Sequence, residues 1–137
     1  MSLREMLIAD EGMKLKPYRC TEGKLTIGVG RNLDDVGITK DEAMMFLDHD
    51  ITRATNAAAD VVGRDVFGSL NPARQAALIS MAFQMGRDRL ADFRNMLQAV
   101  RAGDWQTAYD QALDSKWAMQ TKDRAGRIAK MILTGEW

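Results

Sequence analysis

A single glycine-punctuated stretch, from Gly12 to Gly37, most limits what this chain can fold into. Its short runs contain strand-favouring residues such as Tyr18, Thr26 and Ile27, and glycines and one proline separate the runs. That pattern is typical of a small antiparallel sheet of two or three strands. No other part of the chain shows it convincingly. We therefore predict an α+β protein, predominantly α, with one small β-hairpin lobe.

Helix start signals divide the rest of the chain. Thr39 and Glu42 form a capping box, and the connecting helix that it opens is expected at about residues 39–60. Asn71 stands before a proline, a typical helix start. Thr121 could cap the last helix. Further helices are predicted near residues 90–102, 104–113 and 122–133.

The length of 137 residues suits one domain. We predict a single domain over residues 1–137, with a β lobe at about 12–38, the connecting helix, and a helical lobe at about 61–137 that includes the N-terminal helix. Formal net charge is zero, which argues against a nucleic-acid partner. No run approaches the roughly 18 apolar residues of a membrane span, and no signal peptide is recognisable. We expect a monomer without stable membrane association.

Three residues in or beside the glycine-rich stretch could carry chemistry. Glu11 closes a helix, where the dipole disfavours a negative charge, so either a cation compensates it or it is simply exposed. A hairpin would bring Cys20 and Thr26 together, although a lone cysteine is more often a small buried apolar residue. His49 is the only histidine and lies on a helix face that we expect to be exposed. Neither a cysteine–histidine nucleophile nor a metal site is expected, and no cofactor is predicted.

Six sequence blocks along nearly the whole chain resemble the phage-type lysozymes, glycoside hydrolase family 24. The blocks are D-E-G-x-K-L-x-x-Y from residue 10, T-E-G-x-x-T-I-G-x-G from 21, I-T-K-D-E-A from 38, A-L-I-x-M-x-F-Q-M-G from 77, S-K-W-x-x-Q-T-x-x-R from 115 and T-G-E-W from 134. The resemblance implies the two-lobed lysozyme fold, with a glycan chain lying between the lobes.

The resemblance also implies the reaction. The substrate would be bacterial peptidoglycan, cut at the β-1,4 bond between N-acetylmuramic acid and N-acetylglucosamine. The family pattern of Glu, eight residues, Asp or Cys, five residues and Thr falls on Glu11, Cys20 and Thr26. Glu11 would be the general acid, while Cys20 and Thr26 would hold the attacking water and give inversion. Direct attack by a Cys20 thiolate, with retention, is the alternative.

Other residues take expected roles from the same match. Substrate contacts are implied for Glu22, Gln84 and Lys116. Each of them could equally be an ordinary polar residue of the surface. Arg124 is expected to pair with Glu11 and so supply the missing cation.

One departure from the family concerns an ion pair. Where the family often has a histidine after the G-x-G and an aspartate in the connecting helix, this chain has Arg31 and Asp50. We predict that these two residues pair with each other. Such a pair would not be lost near pH 6.5 as a histidine pair would.

The resemblance finally suggests a biological setting. We expect a bacteriolytic endolysin of a phage or prophage, held in the host cytoplasm until lysis and acting on the cell wall in the periplasm. Passage through the membrane would then depend on a separate holin. Two alternatives stay open: a lytic transglycosylase, which needs one acid and no positioned water, and a non-catalytic glycan-binding virion module.

Overall fold

A computed structural model describes residues 1–137, which form nine helices and one three-stranded sheet. The predicted α+β, predominantly α class is confirmed. The chain divides into two compact units, Met1–Phe46 and Leu47–Trp137. None of the helices combines the length and the apolar character needed to cross a bilayer.

The first unit starts with helix α1 and continues into the sheet. Its elements are α1 (Leu3–Glu11), β1 (Lys14–Arg19), β2 (Leu25–Gly28) and β3 (Arg31–Asn32). Ser2 and Glu5 form a capping box at the start of α1: the Ser2 hydroxyl accepts from the Glu5 N–H at 3.1 Å, and the Glu5 carboxylate accepts from the Ser2 N–H at 2.8 Å. The strands are antiparallel in the order β1-β2-β3, so β2 is the central strand.

A tight turn joins β1 to β2. The Cys20 N–H donates to the Lys24 carbonyl at 3.0 Å, and the Gly23 N–H donates to the Cys20 carbonyl at 2.8 Å. Gly23 has φ of +78°, a conformation that residues with a side chain rarely adopt. In the sheet, Thr26 of β2 lies opposite Tyr18 of β1. The turn therefore places Cys20 directly after β1 and opposite Lys24, the residue that precedes β2.

Helix α2 (Lys40–Val62) begins in the first unit and continues into the second. Its predicted capping box is confirmed, since the Glu42 N–H donates to the Thr39 hydroxyl at 3.1 Å and the Thr39 N–H donates to Glu42 Oε1 at 2.9 Å. At its C-terminal end, Arg101 donates to the carbonyls of the last two residues, both at 2.9 Å. Side chains thus satisfy backbone groups that a helix end leaves without partners.

The second unit is otherwise built of seven short helices. They are α3 (Arg64–Ser69), α4 (Pro72–Met85), α5 (Arg87–Ala91), α6 (Arg94–Ala102), α7 (Trp105–Leu113), α8 (Lys116–Gln120) and α9 (Lys122–Thr134). Asn71 caps α4 as predicted, accepting from the Arg74 N–H at 3.0 Å. Two expectations were wrong. The helix predicted near residues 90–102 is interrupted between α5 and α6, and the Thr121 hydroxyl donates back to the Trp117 carbonyl at 2.9 Å instead of capping α9.

The hydrophobic core lies in the second unit. Its largest fully buried side chains are Val62, Leu78, Met81, Leu90, Met96 and Ile132. Methionines fill irregular gaps in a core because their side chains are unbranched and flexible. Fully buried alanines of α7 and α9, at positions 108, 112, 125 and 129, let these two helices pack closely. The second unit therefore contains the buried core, while the first unit carries the predicted catalytic residues.

Candidate active site

Glu11 is the last residue of α1, and the helix ends at Gly12 with φ of +76°. The Glu11 side chain is exposed, and it lies against the backbone of Gly30 in the turn between β2 and β3. The hydrogen bonds and ion pairs within the first unit do not involve its carboxylate. A ligand can therefore reach this carboxyl group.

Thr26 is only 4% exposed and is the one buried polar residue of the chain. It lies on the central strand of the sheet, and its hydroxyl donates to the Lys24 carbonyl at 2.9 Å. Since a hydroxyl has one proton and two lone pairs, the Thr26 oxygen can still accept a hydrogen bond. Its position therefore suits an acceptor for a bound water molecule.

The thiol of Cys20 is half-buried at the turn between β1 and β2. The backbone N–H groups of Glu22 and Lys24 lower the pKa of Cys20, and the Thr26 hydroxyl acts in the same direction, whereas burial and the Glu22 carboxylate oppose them. Because the Thr26 proton is bonded to a carbonyl, the two amides carry most of the effect. The pattern of residues did not reveal these amides, although a turn containing Gly23 could have suggested them.

Together these three side chains offer acid–base chemistry. Glu11 can donate a proton, Thr26 can accept a hydrogen bond, and Cys20 is more readily ionised than an ordinary thiol. No group of three or more histidine, cysteine or carboxylate side chains could hold a metal ion. Such a set can supply a proton and hydrogen-bond acceptors to a ligand.

The three predicted substrate-contact residues lie in two places. Glu22 is exposed on the turn that holds Cys20. Gln84 lies near the end of α4, where its Oε1 accepts a hydrogen bond from Trp117 Nε1 at 2.9 Å. Lys116 is the exposed first residue of α8 and lines a cavity of about 560 Å³ that Trp117 also lines. Gln84 and Lys116 are thus both neighbours of one buried tryptophan, the first through a hydrogen bond and the second along the chain.

Arg124 lies in the first turn of α9 and is half-buried. Its guanidinium donates to Ser80, at 3.0 Å to the hydroxyl and 3.3 Å to the carbonyl. These bonds hold it in the second unit. Its expected pairing with Glu11 stays a prediction.

The predicted ion pair between Arg31 and Asp50 stays a prediction, and each residue has another partner within its own unit. The Arg31 guanidinium donates to both carboxylate oxygens of Glu42, at 2.8 and 2.7 Å. Asp50 pairs with Arg53 on the next turn of α2. The capping box holds the Glu42 carboxylate at the start of α2, where Arg31 reaches it with two parallel bonds.

Comparison with known proteins places these residues in a family context. The family model described as phage lysozyme matches residues 9–131. The pre-baseplate central spike protein Gp5 of Enterobacteria phage T4 is 37% identical over 98% of this chain, which spans only 28% of that protein. A probable T4-type lysozyme of Dictyostelium discoideum is 29% identical over 98% of the chain and 95% of its own length. A peptidoglycan hydrolase, gp36 of Pseudomonas phage phiKMV, is 29% identical over 94% of the chain and 15% of its own length.

Proposed function

Because this chain belongs to the phage lysozyme family and is therefore a glycoside hydrolase, we propose that it cleaves bacterial peptidoglycan at one particular bond. That bond is the β-1,4 link between N-acetylmuramic acid and N-acetylglucosamine. The observation that carries the proposal is the set of Glu11, Cys20 and Thr26 around one small sheet. Their spacing follows the family pattern, the Thr26 oxygen can still accept a hydrogen bond, and the pKa of Cys20 is lowered.

Glu11 acts as the general acid. Hydrolysis of a glycosidic bond needs a carboxylic acid that protonates the leaving-group oxygen as the bond breaks. The Glu11 carboxyl suits this role because it is exposed and because no hydrogen bond within its own unit engages it. As protonation proceeds, positive charge develops on the sugar ring, which water then attacks from the opposite face.

Cys20 and Thr26 hold the attacking water. The Thr26 oxygen accepts a hydrogen bond from one O–H of the water, and the ionised Cys20 sulfur accepts one from the other O–H and takes up that proton as the water attacks. Because backbone amides lower the pKa of Cys20, more of the thiol is ionised at a given pH and it accepts more strongly. Inverting glycosidases keep their two catalytic groups roughly 6.5–9.5 Å apart to leave room for this water. The buried Thr26 hydroxyl favours this role for the pair over direct attack by the thiolate, which needs no second acceptor.

The substrate extends beyond the bond that is cut. We assign glycan contacts to Glu22 beside Cys20 and to Gln84 and Lys116 beside Trp117. The Gln84 amide nitrogen is a free donor because only its oxygen is used by Trp117. Acetamido groups and hydroxyls of amino sugars are suitable acceptors for such a donor.

The biological setting is also proposed. Relatives include a lysozyme that is matched over 95% of its own length and larger phage proteins of which this chain spans 28% or 15%. We propose an endolysin that acts on the cell wall after a separate holin has opened the membrane. Action as one part of a virion protein is the alternative that the larger relatives support.

Digestion of purified peptidoglycan tests the reaction. Wild type, Glu11→Gln and Cys20→Ser would be compared by mass spectrometry of the released fragments. Release of reducing-end muropeptides by wild type, with loss of activity in Glu11→Gln, is the expected result. Anhydro-muropeptides would instead identify a lytic transglycosylase, and binding without release would identify a non-catalytic glycan-binding module.

A further inference from the structure

The side chain of Glu11 rests directly on Gly30. A Cβ atom placed on Gly30 would lie 2.9 Å from Glu11 Oε2, 3.1 Å from Cδ and 3.3 Å from Cγ. Three consecutive atoms of the glutamate therefore lie along the bare face of the glycine. The Glu11 side chain can lie this close to position 30 only because Gly30 has no Cβ atom.

Within the first unit, this contact is the one that can fix the position of the Glu11 carboxylate. Glu11 is exposed, and no hydrogen bond within its own unit holds its oxygens. Gly30 lies in the turn after β2, the strand that carries Thr26. A carboxylate in contact with Gly30 therefore has a defined position relative to this turn and to β2.

We propose that Gly30 is a positioning residue that sets the location of the Glu11 carboxyl group. The proposal rests on the proposed function, in which Glu11 is the general acid. A general acid must come within roughly 2.6–3.2 Å of the oxygen that it protonates, and a misplacement of about 1 Å can lower the rate about 10²-fold. We infer that the contact with Gly30 keeps the Glu11 carboxyl group from being misplaced by this amount.

A methyl group at position 30 would push the carboxyl group away. Ordinary contacts begin near 3.4 Å, so Oε2 must retreat by about half an ångström, and Cδ and Cγ must move with it. The glutamate side chain is flexible enough to make this movement. Gly30→Ala is therefore expected to fold with the acid displaced.

Gly28 provides a matched control. Its φ of +68° is nearly the same as the +67° of Gly30, so the backbone disfavours alanine at both positions for the same reason. A Cβ atom at Gly28, however, would meet no atom within 4 Å. The two alanine variants share the backbone strain and differ in the clash with Glu11.

The first experiment measures kcat and KM for peptidoglycan hydrolysis by wild type, Gly28→Ala and Gly30→Ala, below the melting temperature of all three. We expect kcat of Gly30→Ala to fall about 10- to 100-fold below that of Gly28→Ala, with KM within a factor of about three. Equal kcat values in the two variants would overturn the proposal. A wild type without hydrolytic activity would instead overturn the proposed function.

A second experiment tests the contact without relying on catalysis. The fall in Tm caused by Gly30→Ala is measured in the wild type and in a Glu11→Ala background, which lacks the atoms that clash. We expect a smaller fall in the second background, whereas Gly28→Ala should lower Tm equally in both. An equal effect of Gly30→Ala in both backgrounds would show that the contact does not hold Glu11.

Discussion

The guanidinium of Arg31 and the carboxylate of Glu42 form a two-point ion pair that joins β3 to the first turn of α2. Arg31 also donates to the Gly37 carbonyl at 3.1 Å, and Glu42 also accepts from the Thr39 N–H. One carboxylate therefore caps a helix and anchors the strand that follows the Gly30 turn.

This ion pair predicts a specific dependence of stability on pH. Arg31, followed by the Thr39 backbone, lowers the pKa of Glu42 from its ordinary 4.5 to about 2. A carboxylate with a lowered pKa stabilises the folded state fully above its unfolded pKa and loses that effect as pH falls toward its folded pKa. We expect the difference in Tm between wild type and Glu42→Gln to be constant from pH 6 to 8 and to shrink between about pH 4.5 and 2.

Asp41→Asn is the control for this measurement, since it removes a charge from the same first turn without removing a partner of Arg31. Its effect on Tm should be small at every pH. A Tm difference for Glu42→Gln that changes through pH 6.5 would contradict the account, because it would point to a histidine.

Cys20 should make the enzyme sensitive to thiol reagents. It is the only cysteine, so a single alkylation by iodoacetamide reports on this residue alone. We expect loss of activity to follow the gain of one adduct mass, since the adduct would occupy the place that we propose for the water. Cys20→Asp should stay active and resist the reagent, and Cys20→Ser should lose about 10²-fold in kcat because serine does not ionise. Full activity of the alkylated protein would show that Cys20 is not part of the active site.

Gln84 is expected to have a structural as well as a substrate role. Gln84→Ala leaves the Trp117 N–H, on a side chain that is 5% exposed, without a partner. We expect the free energy of unfolding to fall by about 1–2 kcal/mol. The control is Gln98→Ala on the exposed face of α6, which should change it by less than about 0.5 kcal/mol. Urea denaturation measures both, and equal values would exclude a stabilising hydrogen bond.

Arg74 should contribute to stability through its shape as well as its charge. It donates to the Ile132 carbonyl at 2.8 Å and the Leu133 carbonyl at 3.1 Å, and its guanidinium lies 3.8 Å from the centre of the Trp105 ring. We expect Arg74→Ala to lower the free energy of unfolding by about 2–3 kcal/mol. Arg74→Lys keeps the charge without the planar fork, so it should recover less than half of this loss. Full recovery by lysine in thermal unfolding would show that charge alone matters.

Much of the fold follows from local signals in the sequence. The capping box of Thr39 and Glu42 and the Asn71 cap appear in the structure as predicted. The glycine-rich stretch forms the expected sheet. These features are predictable because the residues that make each bond are only a few positions apart.

Features that depend on distant or backbone groups were missed. Arg31 and Glu42 are eleven positions apart, and only the folded hairpin shows that Glu42 is the partner within reach. The amides that act on Cys20 belong to the backbone, so no side-chain pattern indicates them. Thr121 could have capped α9 or bonded back to α8, and sequence does not distinguish the two.

The anomeric configuration of the first product tests the central claim most directly. Proton NMR would follow cleavage of a peptidoglycan oligosaccharide by wild type, fast enough to precede mutarotation. If Cys20 and Thr26 hold a water molecule opposite Glu11, the new reducing end must appear first as the α-anomer. First appearance of the β-anomer would contradict the account, because retention would mean that the Cys20 thiolate attacks the sugar itself.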